Sequence, residues 1–477
     1  MDVGSSVKSA VKWMGISKAA SQIVAWALTI ITIRFLNPAD YGLIALAGIS
    51  LSFVQLFGDA GLYLRLVQKR DLDLYYIRQV FGIAIVVGIF LTLLLMGLAP
   101  LIADSFSEPR LTDIIRALSL TLIISSFGLV PDAMLARRLD FKAIMMFDMV
   151  STIIASTLVC LLAFLGWGAW ALVVGSLTGA ILRVIRLYYL SPFPHWPIWS
   201  LAGIGETLRF GGLVTLQRVL GWYYNWIDRF LLGRAYSAEI VGYYSVALHL
   251  AELPHSKIGS ILVMATNAGM ARVAGDRPAM AHHLLQGIRV LALAMLPVCL
   301  GISVTAPDLI PVVLGQKWLP SIVAMQALCF AIPLRMIHSP IGESLNAVDQ
   351  TAIATVNTLI TAVIVTIGVV IGLQWGFEGV AWGWVASYPF AFLITLVRAK
   401  RVLGLGIWQF TRAILPATVC ASLMYGVVAV ARPFLPWPVP SISGLAASVA
   451  LGVLVYGLAI LIADRPTLRT MLSILRG

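Results

Sequence analysis

The stretch FGIAIVVGIFLTLLLMGLAPLIA, Phe81–Ala103, decides the fold class of this chain. It is long enough to cross a bilayer as a helix, because about 20 apolar residues suffice. It contains no charged side chain, and it lacks the alternation of apolar and polar residues that is typical of a membrane β-strand. The stretch therefore predicts a transmembrane α-helix.

Similar apolar runs recur along the whole chain, which has 477 residues, 60% of them hydrophobic and 11% charged. This composition predicts an all-α polytopic membrane protein. Hydropathy and helix breakers indicate about fourteen transmembrane helices. They lie near 15–36, 41–63, 78–104, 112–134, 143–165, 169–190, 208–233, 240–268, 285–306, 319–346, 351–373, 379–397, 408–430 and 441–463.

The charges of the connections orient these spans. With the N-terminus inside, we assign eighteen Lys and Arg residues to the inner side, Arg183 and Arg186 among them, and five to the outer side. Basic residues concentrate on the cytoplasmic face of membrane proteins, so both termini are expected in the cytoplasm. Basic loops beside anionic headgroups also account for the net charge of +12, and no nucleic-acid partner is expected.

An internal repeat divides the chain. RFLNPADYGLIALA, Arg34–Ala47, aligns without gaps with RAYSAEIVGYYSVA, Arg234–Ala247, at an offset of two hundred residues. GWGAWA, Gly166–Ala171, is echoed by GFEGVA, Gly376–Ala381. The order and spacing of these echoes predict two six-helix lobes in parallel orientation, followed by two extra helices. Duplicated bundles of this kind are typical of alternating-access transporters.

The predicted parts are an N-terminal lobe at 1–188, a connector at 189–203, a C-terminal lobe at 204–400, and two extra helices with a cytoplasmic tail at 401–477. The connector, LSPFPHWPIWSLAG, contains three prolines that forbid a continuous helix, and tryptophans that favour the membrane interface. GSLTG, Gly175–Gly179, and GVAWG, Gly379–Gly383, are interpreted as close-packing faces between helices.

With this layout, RFLNPADYG, AEIVGYYSVA, LVQKRDL, LARRLDFKA and WIDRFLLGR together resemble the polysaccharide-transporter branch of the multidrug/oligosaccharidyl-lipid/polysaccharide flippase superfamily. More narrowly, the chain resembles flippases of the colanic-acid-exporter type. The resemblance implies movement of an undecaprenyl-diphosphate-linked oligosaccharide from the inner to the outer leaflet of a bacterial inner membrane, for exopolysaccharide, capsule or O-antigen assembly. It also implies membrane lipids and a polysaccharide polymerase as partners, and a lipid-facing groove for the polyprenyl tail at 408–463.

Two other functions stay open. A drug/cation antiporter of the same superfamily would be expected to have twelve spans and an acidic cavity. A membrane polymerase or glycosyltransferase would need a sizeable outer loop, and these loops are short. No G-x-x-x-x-G-K-[ST] loop occurs, so ATP hydrolysis is not expected. We expect a transporter and not an enzyme, with no cofactor and no metal.

Four cations lie inside predicted spans: Lys18, Arg218, Lys257 and Arg335. The helical rise places all four between the midplane and the inner leaflet. A diphosphate offers strong acceptor oxygens, and charge-assisted bonds to it would offset the burial of cations. We therefore predict a substrate diphosphate site formed by these residues. The alternative is that each cation snorkels or pairs with Asp59, Asp148, Glu252 or Glu343.

The stretch YNWIDRFLLGR, Tyr224–Arg234, places Asp228 and Arg229 in an apolar segment, where charged residues are costly and often functional. Adjacent residues of a helix point in different directions, so each is expected to need its own partner. Because Asp228 is too short to snorkel, we predict that it faces the cavity between the lobes. Glu252 and Glu343 join it as candidates for ion coupling, and Glu343 lies near Arg335 and His338 on one span.

Overall fold

The computed structural model describes residues 24–58, 61–69, 72–138, 141–193, 195–200, 205–259, 262–263, 277–348 and 350–464, without the side chains of 64, 68, 138, 141–146, 205–217, 257, 258, 277 and 347. These ranges are helical throughout, apart from short links, and contain no β-strand. The α-helices within them are α1 (Val24–Phe35), α2 (Pro38–Gln55), α3 (Leu62–Gln68), α4 (Leu74–Ser105), α5 (Leu111–Arg138), α6 (Phe141–Phe164), α7 (Ala169–Leu190), α8 (Gly205–Ala235), α9 (Ala238–Pro254), α10 (Arg277–Val313), α11 (Ser321–Ala347), α12 (Thr351–Gly372), α13 (Gly376–Leu403), α14 (Ile407–Ala431) and α15 (Ile442–Ala463).

The chain is a multi-pass helical membrane protein. Across the described ranges, nine helical segments are long and apolar enough to cross a membrane, or up to ten if the bent pair α1 and α2 forms one span. Each predicted span overlaps a helix, and the span at 169–190 coincides with α7. The count of fourteen and the cytoplasmic termini stay predictions.

The turn between α6 and α7 illustrates how the sequence ends its helices. Gly166 and Gly168 have φ angles of 80° and 53°, a region that glycine enters without steric cost. Asp40 then accepts hydrogen bonds from two backbone N–H groups, that of Asn37 at 2.9 Å and that of Ala169 at 3.0 Å. One carboxylate therefore stabilises the N-termini of both α2 and α7, where unpaired N–H groups favour negative charge.

The described helices fall into two compact units. Unit 1 contains Met1–Trp222 and Tyr236–Gly242, and unit 2 contains Tyr223–Ala235 and Tyr243–Gly477. The four-part division of the chain that the sequence suggests stays a prediction beside these units.

Within unit 1, residues 195–200 of the connector run as an extended segment along the start of α4. The backbone N–H of Ile198 donates to the carbonyl of Arg78 at 3.0 Å, and Arg78 Nε donates to the carbonyl of Trp196 at 2.9 Å. The prolines exclude helical hydrogen bonding here, so α4 supplies the partners instead. The Trp196 and Trp199 side chains are exposed.

The repeat also has a structural counterpart in the ends of the helices. Helices α1 and α8 end at Phe35 and Ala235, and α2 and α9 begin at Pro38 and Ala238, each at the offset of two hundred. A Cβ atom on Gly42 would overlap the carbonyl oxygen of Ala238, and one on Gly242 would overlap that of Pro38. This reciprocal crossing of α2 with the first turn of α9 supports the internal repeat.

In unit 2, glycines allow α12 and α13 to approach backbone to backbone. A Cβ atom on Gly379 or Gly383 would overlap the carbonyl oxygen of Gly372 or Gly368, respectively. The interpretation of Gly379–Gly383 as a packing face is therefore confirmed. For GSLTG the prediction is only half right: a Cβ on Gly175 would overlap Val159, but one on Gly179 would meet no atom within 4 Å.

The last two helices, α14 and α15, are attached to α10 near both of its ends. Arg432 forms two hydrogen bonds to Asp308, at 2.6 and 2.8 Å, and Arg289 Nε donates to Asp464 at 2.8 Å. Between these ion pairs, the hydroxyl of Tyr456 donates to the carbonyl of Leu293 at 2.8 Å. Apolar contacts of Leu300, Ala421, Met424 and Val428 fill the space between the helices. We name this arrangement the α10 clamp.

Candidate functional site

A polar cavity of about 330 Å³ lies within unit 2, among α8, α9, α11, α12 and α13. We refer to it as the C-cavity. The titratable side chains that line it include Glu252, His255, Arg335, His338 and Glu343. Pro254 is the last residue of α9, and a π-helical turn, His255–Gly259, follows it. Proline cannot continue the hydrogen bonding of an α-helix, so the helix type changes at this point of the cavity wall.

Arg335 is the central cation of the C-cavity. Its guanidinium donates to Asn225 Oδ1 at 2.9 Å and to Glu252 Oε1 at 3.3 Å. The guanidinium carbon lies 4.7 Å from the ring centre of Trp384 and 5.4 Å from that of Tyr224. Aromatic faces attract a cation, so these rings hold the guanidinium in place with a single carboxylate partner. Arg335 is thus paired with Glu252. This is the alternative that the sequence left open, in which each cation pairs with a carboxylate.

The carboxylates proposed for ion coupling occupy different environments. Glu252 pairs with Arg335 and is partly exposed, and Glu343 lines the same cavity as an exposed residue. His338, which the sequence places near Arg335 and Glu343, forms a 2.8 Å hydrogen bond between its Nδ1 and the hydroxyl of Tyr388. The C-cavity therefore contains two carboxylates and one guanidinium, together with neutral polar and aromatic side chains.

Asp228 lies in the interior of unit 2 and is only 1% exposed. Its Oδ2 accepts hydrogen bonds from the Tyr244 hydroxyl at 2.7 Å and from Trp384 Nε1 at 3.3 Å. Its Oδ1 accepts from the backbone N–H of Arg229 at 2.7 Å. Burial of a carboxylate is tolerated when several donors surround it, and three are present here. Trp384 connects this carboxylate to the ring cluster around Arg335.

The expectation that Asp228 and Arg229 cannot pair is wrong. Arg229 Nε lies 3.5 Å from Asp228 Oδ1, and the same guanidinium donates to the carbonyl of Asn225. The Arg side chain is long enough to fold back along the helix, whereas the prediction considered only the directions of the Cα–Cβ bonds. The guanidinium of Arg229 also stacks on the Trp226 ring, with the guanidinium carbon 3.9 Å from the ring centre.

A second cavity, of about 440 Å³, lies within unit 1, and we refer to it as the N-cavity. Arg218, Arg183 and Asp132 line it, together with serines of α5. Arg183 Nη2 donates to Asp132 Oδ2 at 2.8 Å. The described lining therefore holds two guanidinium groups and one carboxylate.

Sequence reasoning missed Arg183 as a cavity residue. Counting basic residues near span ends assigned Arg183 and Arg186 to the cytoplasmic connections, and this assignment is wrong for both. Both belong to α7, where Arg183 faces the N-cavity, and the buried Arg186 forms an ion pair with Asp148. The signal that could have identified Arg183 is its position inside the predicted span at 169–190.

The four predicted diphosphate residues are placed as follows. Arg218 belongs to unit 1 and lines the N-cavity, and Arg335 belongs to unit 2 and lines the C-cavity. Lys18 and the side chain of Lys257 lie outside the described residues. The joint diphosphate site stays a prediction.

Comparison with known proteins gives matches both by sequence and by fold. A family model described as "Polysaccharide biosynthesis protein" matches residues 31–323. The lipopolysaccharide biosynthesis protein WzxC of Escherichia coli (strain K12) is 24% identical over 414 residues, covering 84% of this chain and 82% of the relative. The succinoglycan biosynthesis transport protein ExoT of Rhizobium meliloti (strain 1021) is 23% identical over 472 residues, covering 98% and 95%.

Among solved structures, the fold is similar to that of the lipid II flippase MurJ in an inward closed conformation. The TM-score is 0.75 at 15% sequence identity, and the match covers 94% of this chain and 98% of that one. At this identity the likeness concerns the fold alone.

Proposed function

Because the chain belongs to the polysaccharide biosynthesis protein family, we propose that it flips an undecaprenyl-diphosphate-linked oligosaccharide from the inner to the outer leaflet of a bacterial inner membrane. The oligosaccharide would serve exopolysaccharide, capsule or O-antigen assembly, and the transport cycle would be alternating access between the two lobes. A polysaccharide polymerase would then use the exported unit.

The observation that carries this proposal is the N-cavity. Its described lining combines two guanidinium groups with one carboxylate inside a helical membrane unit. Guanidinium groups in a cavity lining can bind an anion. A diphosphate suits this role because it carries several charged oxygens and can accept charge-assisted hydrogen bonds. Relatives named for lipopolysaccharide biosynthesis and succinoglycan transport support a sugar-bearing substrate.

We propose Lys18, Arg218, Lys257 and Arg335 as the residues that bind the diphosphate, and Arg183 as an addition to this set. Replacement of Arg218 or Lys257 by alanine is expected to abolish export. Arg218→Lys and Lys257→Arg should retain part of it, since charge matters more than shape for a mobile diphosphate. Arg110, an exposed residue paired with Glu108, offers a control in which a charge is removed outside the C-cavity and the N-cavity.

Asp228, Glu252 and Glu343 are proposed as the ion-coupling residues. The hydrogen bonds around Asp228 make a matched test possible: Asp228→Asn removes the charge, whereas Tyr244→Phe removes one donor and leaves the charge in place. A coupling role predicts that Asp228→Asn abolishes the dependence of transport on an ion gradient and that Tyr244→Phe preserves it. Equal loss in both variants would indicate a structural role only.

The decisive experiment is deletion of the gene, followed by identification of the lipid-linked sugar that accumulates in the inner leaflet. Proteoliposomes containing the purified protein and an undecaprenyl-diphosphate hexose would then measure leaflet exchange directly. Exchange well above that of protein-free vesicles is expected, and Arg218→Ala should remove it whereas Arg110→Ala should not. Absence of both accumulation and exchange would exclude the flippase role.

A drug/cation antiporter is the second candidate, favoured by the two carboxylates and the aromatic rings of the C-cavity. This alternative predicts that the purified protein exchanges an organic cation for sodium or protons and leaves lipid-linked sugars in place. We favour the flippase because the family model and the relatives concern polysaccharide biosynthesis and transport.

A further inference from the structure

Asn357 presents an unused hydrogen-bond donor in the lining of the C-cavity. The residue is 4% exposed, and its Oδ1 accepts from Arg398 Nε at 2.7 Å. A guanidinium group can only donate, so this contact fixes the orientation of the amide. Its Nδ2 is consequently turned away from Arg398, and no described residue accepts a hydrogen bond from it.

Thr361 lies one helical turn further along α12 and also lines the C-cavity at 4% exposure. Among the described residues, its hydroxyl has no hydrogen-bond partner. Three other threonines of α12 differ from it. Thr355, Thr358 and Thr366 each donate to the carbonyl four residues earlier, at 2.9, 3.1 and 2.7 Å. Thr361 thus keeps a hydroxyl that can both donate and accept.

Buried polar groups in proteins are almost always hydrogen-bonded, so two such groups on one face of a helix, both in a cavity lining, indicate a ligand. The chemistry of the cavity lining narrows the chemical class of this ligand. An N–H donor such as Asn357 Nδ2 cannot coordinate a cation, and the anionic part of the proposed substrate, its diphosphate, is assigned to Arg335 and not to these two atoms. A neutral ligand that carries hydroxyl groups satisfies both atoms.

The remaining lining of the C-cavity suits a sugar ring. Tyr224 and Tyr388 line it with their ring centres 6.4 Å apart, and they offer apolar surface to the C–H face of a pyranose. Asn357 and Thr361 are separated by about 6 Å along the helix axis, so they can bind two hydroxyl groups of one ring. Arg335, a proposed diphosphate residue, lines the same cavity, which favours the sugar next to the diphosphate.

Building on the function proposed above, we propose that Asn357 and Thr361 form a subsite for the hydroxyl groups of the substrate's first sugar, a neutral pyranose. Asn357 Nδ2 donates to one hydroxyl oxygen, and the Thr361 hydroxyl exchanges a hydrogen bond with another. This subsite discriminates between a sugar-bearing lipid diphosphate and the same lipid without its sugar.

The test compares two probes: undecaprenyl diphosphate that carries one hexose, and undecaprenyl diphosphate alone. Binding of each to the full-length protein in nanodiscs gives a ratio of dissociation constants, in which the lipid and diphosphate contributions cancel. Thr361→Val is isosteric and removes the hydroxyl, whereas Asn357→Asp keeps the acceptor for Arg398 and removes the donor. Thr358→Val is the matched control, because this cavity-lining hydroxyl is already bonded to its own helix.

We expect the wild-type protein to prefer the hexose-bearing lipid and the ratio to fall about tenfold in Thr361→Val and in Asn357→Asp, with binding of the sugar-free lipid unchanged in Thr361→Val. Thr358→Val should match the wild type. An unchanged ratio in both variants overturns the subsite. A variant in which lipid binding changes its dependence on sodium while the ratio stays the same also overturns it. If the wild type binds neither lipid, the proposed flippase function itself fails, which is a distinct result.

Discussion

Replacement of Gly42 by alanine places a methyl group on the carbonyl oxygen of Ala238, at the crossing of α2 with the first turn of α9. The obstructing atoms belong to the backbone, so no side-chain rotation relieves the overlap, and the two helices must separate. Overpacking of this kind costs about 1–3 kcal/mol, and the better helix propensity of alanine returns up to about 1 kcal/mol. We expect a net loss of about 1–2 kcal/mol in the free energy of unfolding.

Gly97 provides the matched control within α4. A Cβ atom there would meet no atom within 4 Å, so Gly97→Ala should gain about 0.5–1 kcal/mol from helix propensity alone. Equilibrium unfolding in mixed detergent micelles, followed by tryptophan fluorescence, measures both variants against the parent. We predict that the free energy of unfolding falls in Gly42→Ala and rises in Gly97→Ala. Because both variants add the same methyl group to a helix, the surroundings of that methyl group decide the sign.

The reciprocity of the crossing gives a sharper test. Gly242→Ala should resemble Gly42→Ala, since its methyl group would overlap the carbonyl oxygen of Pro38. A separation of the helices that accommodates one methyl group also makes room for the other. The double variant should therefore cost less than the sum of the single variants, by more than about 0.5 kcal/mol. Additive losses, or a gain in stability for Gly42→Ala, would refute the reciprocal contact.

Three further outcomes are expected. Arg218→Ala should abolish transport of a lipid-linked hexose into the outer leaflet of proteoliposomes, Arg183→Ala should reduce it, and unaffected rates in both would contradict a role of the N-cavity in binding. Asp228→Asn should lower the free energy of unfolding by about 1–3 kcal/mol, because an amide NH₂ would face one of the three donors now bound to the carboxylate; unfolding curves that superimpose on the parent's would contradict it. Asp308→Ala should cost about 3–5 kcal/mol by leaving a largely buried Arg432 without its carboxylate, while the double replacement of both residues should cost less; the same unfolding assay decides it.

The helices themselves were largely predictable from the sequence. Apolar runs bounded by proline, glycine and charged residues define where a membrane helix begins and ends, and the boundaries of α7, α12 and α15 differ from the predicted ones by at most one residue. The offset of two hundred between the repeats also reappears in the helix ends. These features depend on local composition, which a single chain displays directly.

The contacts within the candidate sites were much less predictable. The donors to Asp228 include Tyr244 and Trp384, which are 16 and 156 residues away along the chain, and no periodicity of one helix reveals such partners. Arg183 was assigned to a connection because charge counting weighs the ends of spans and ignores which way a helical side chain points. The unused donors of Asn357 and Thr361 emerge only when every neighbouring acceptor is known.

The α10 clamp also constrains how chains of this type can gain or lose helices. If α14 and α15 were deleted, Asp308 and Arg289 would remain on a membrane helix without Arg432 and Asp464. Each charge left alone in a membrane-spanning helix costs several kcal/mol, so simple truncation at the end of α13 would produce a poorly inserted protein. A viable shorter chain needs neutral residues at both positions of α10. Acquisition of the last two helices and the appearance of these two charges are therefore expected to be coupled events in the history of the fold.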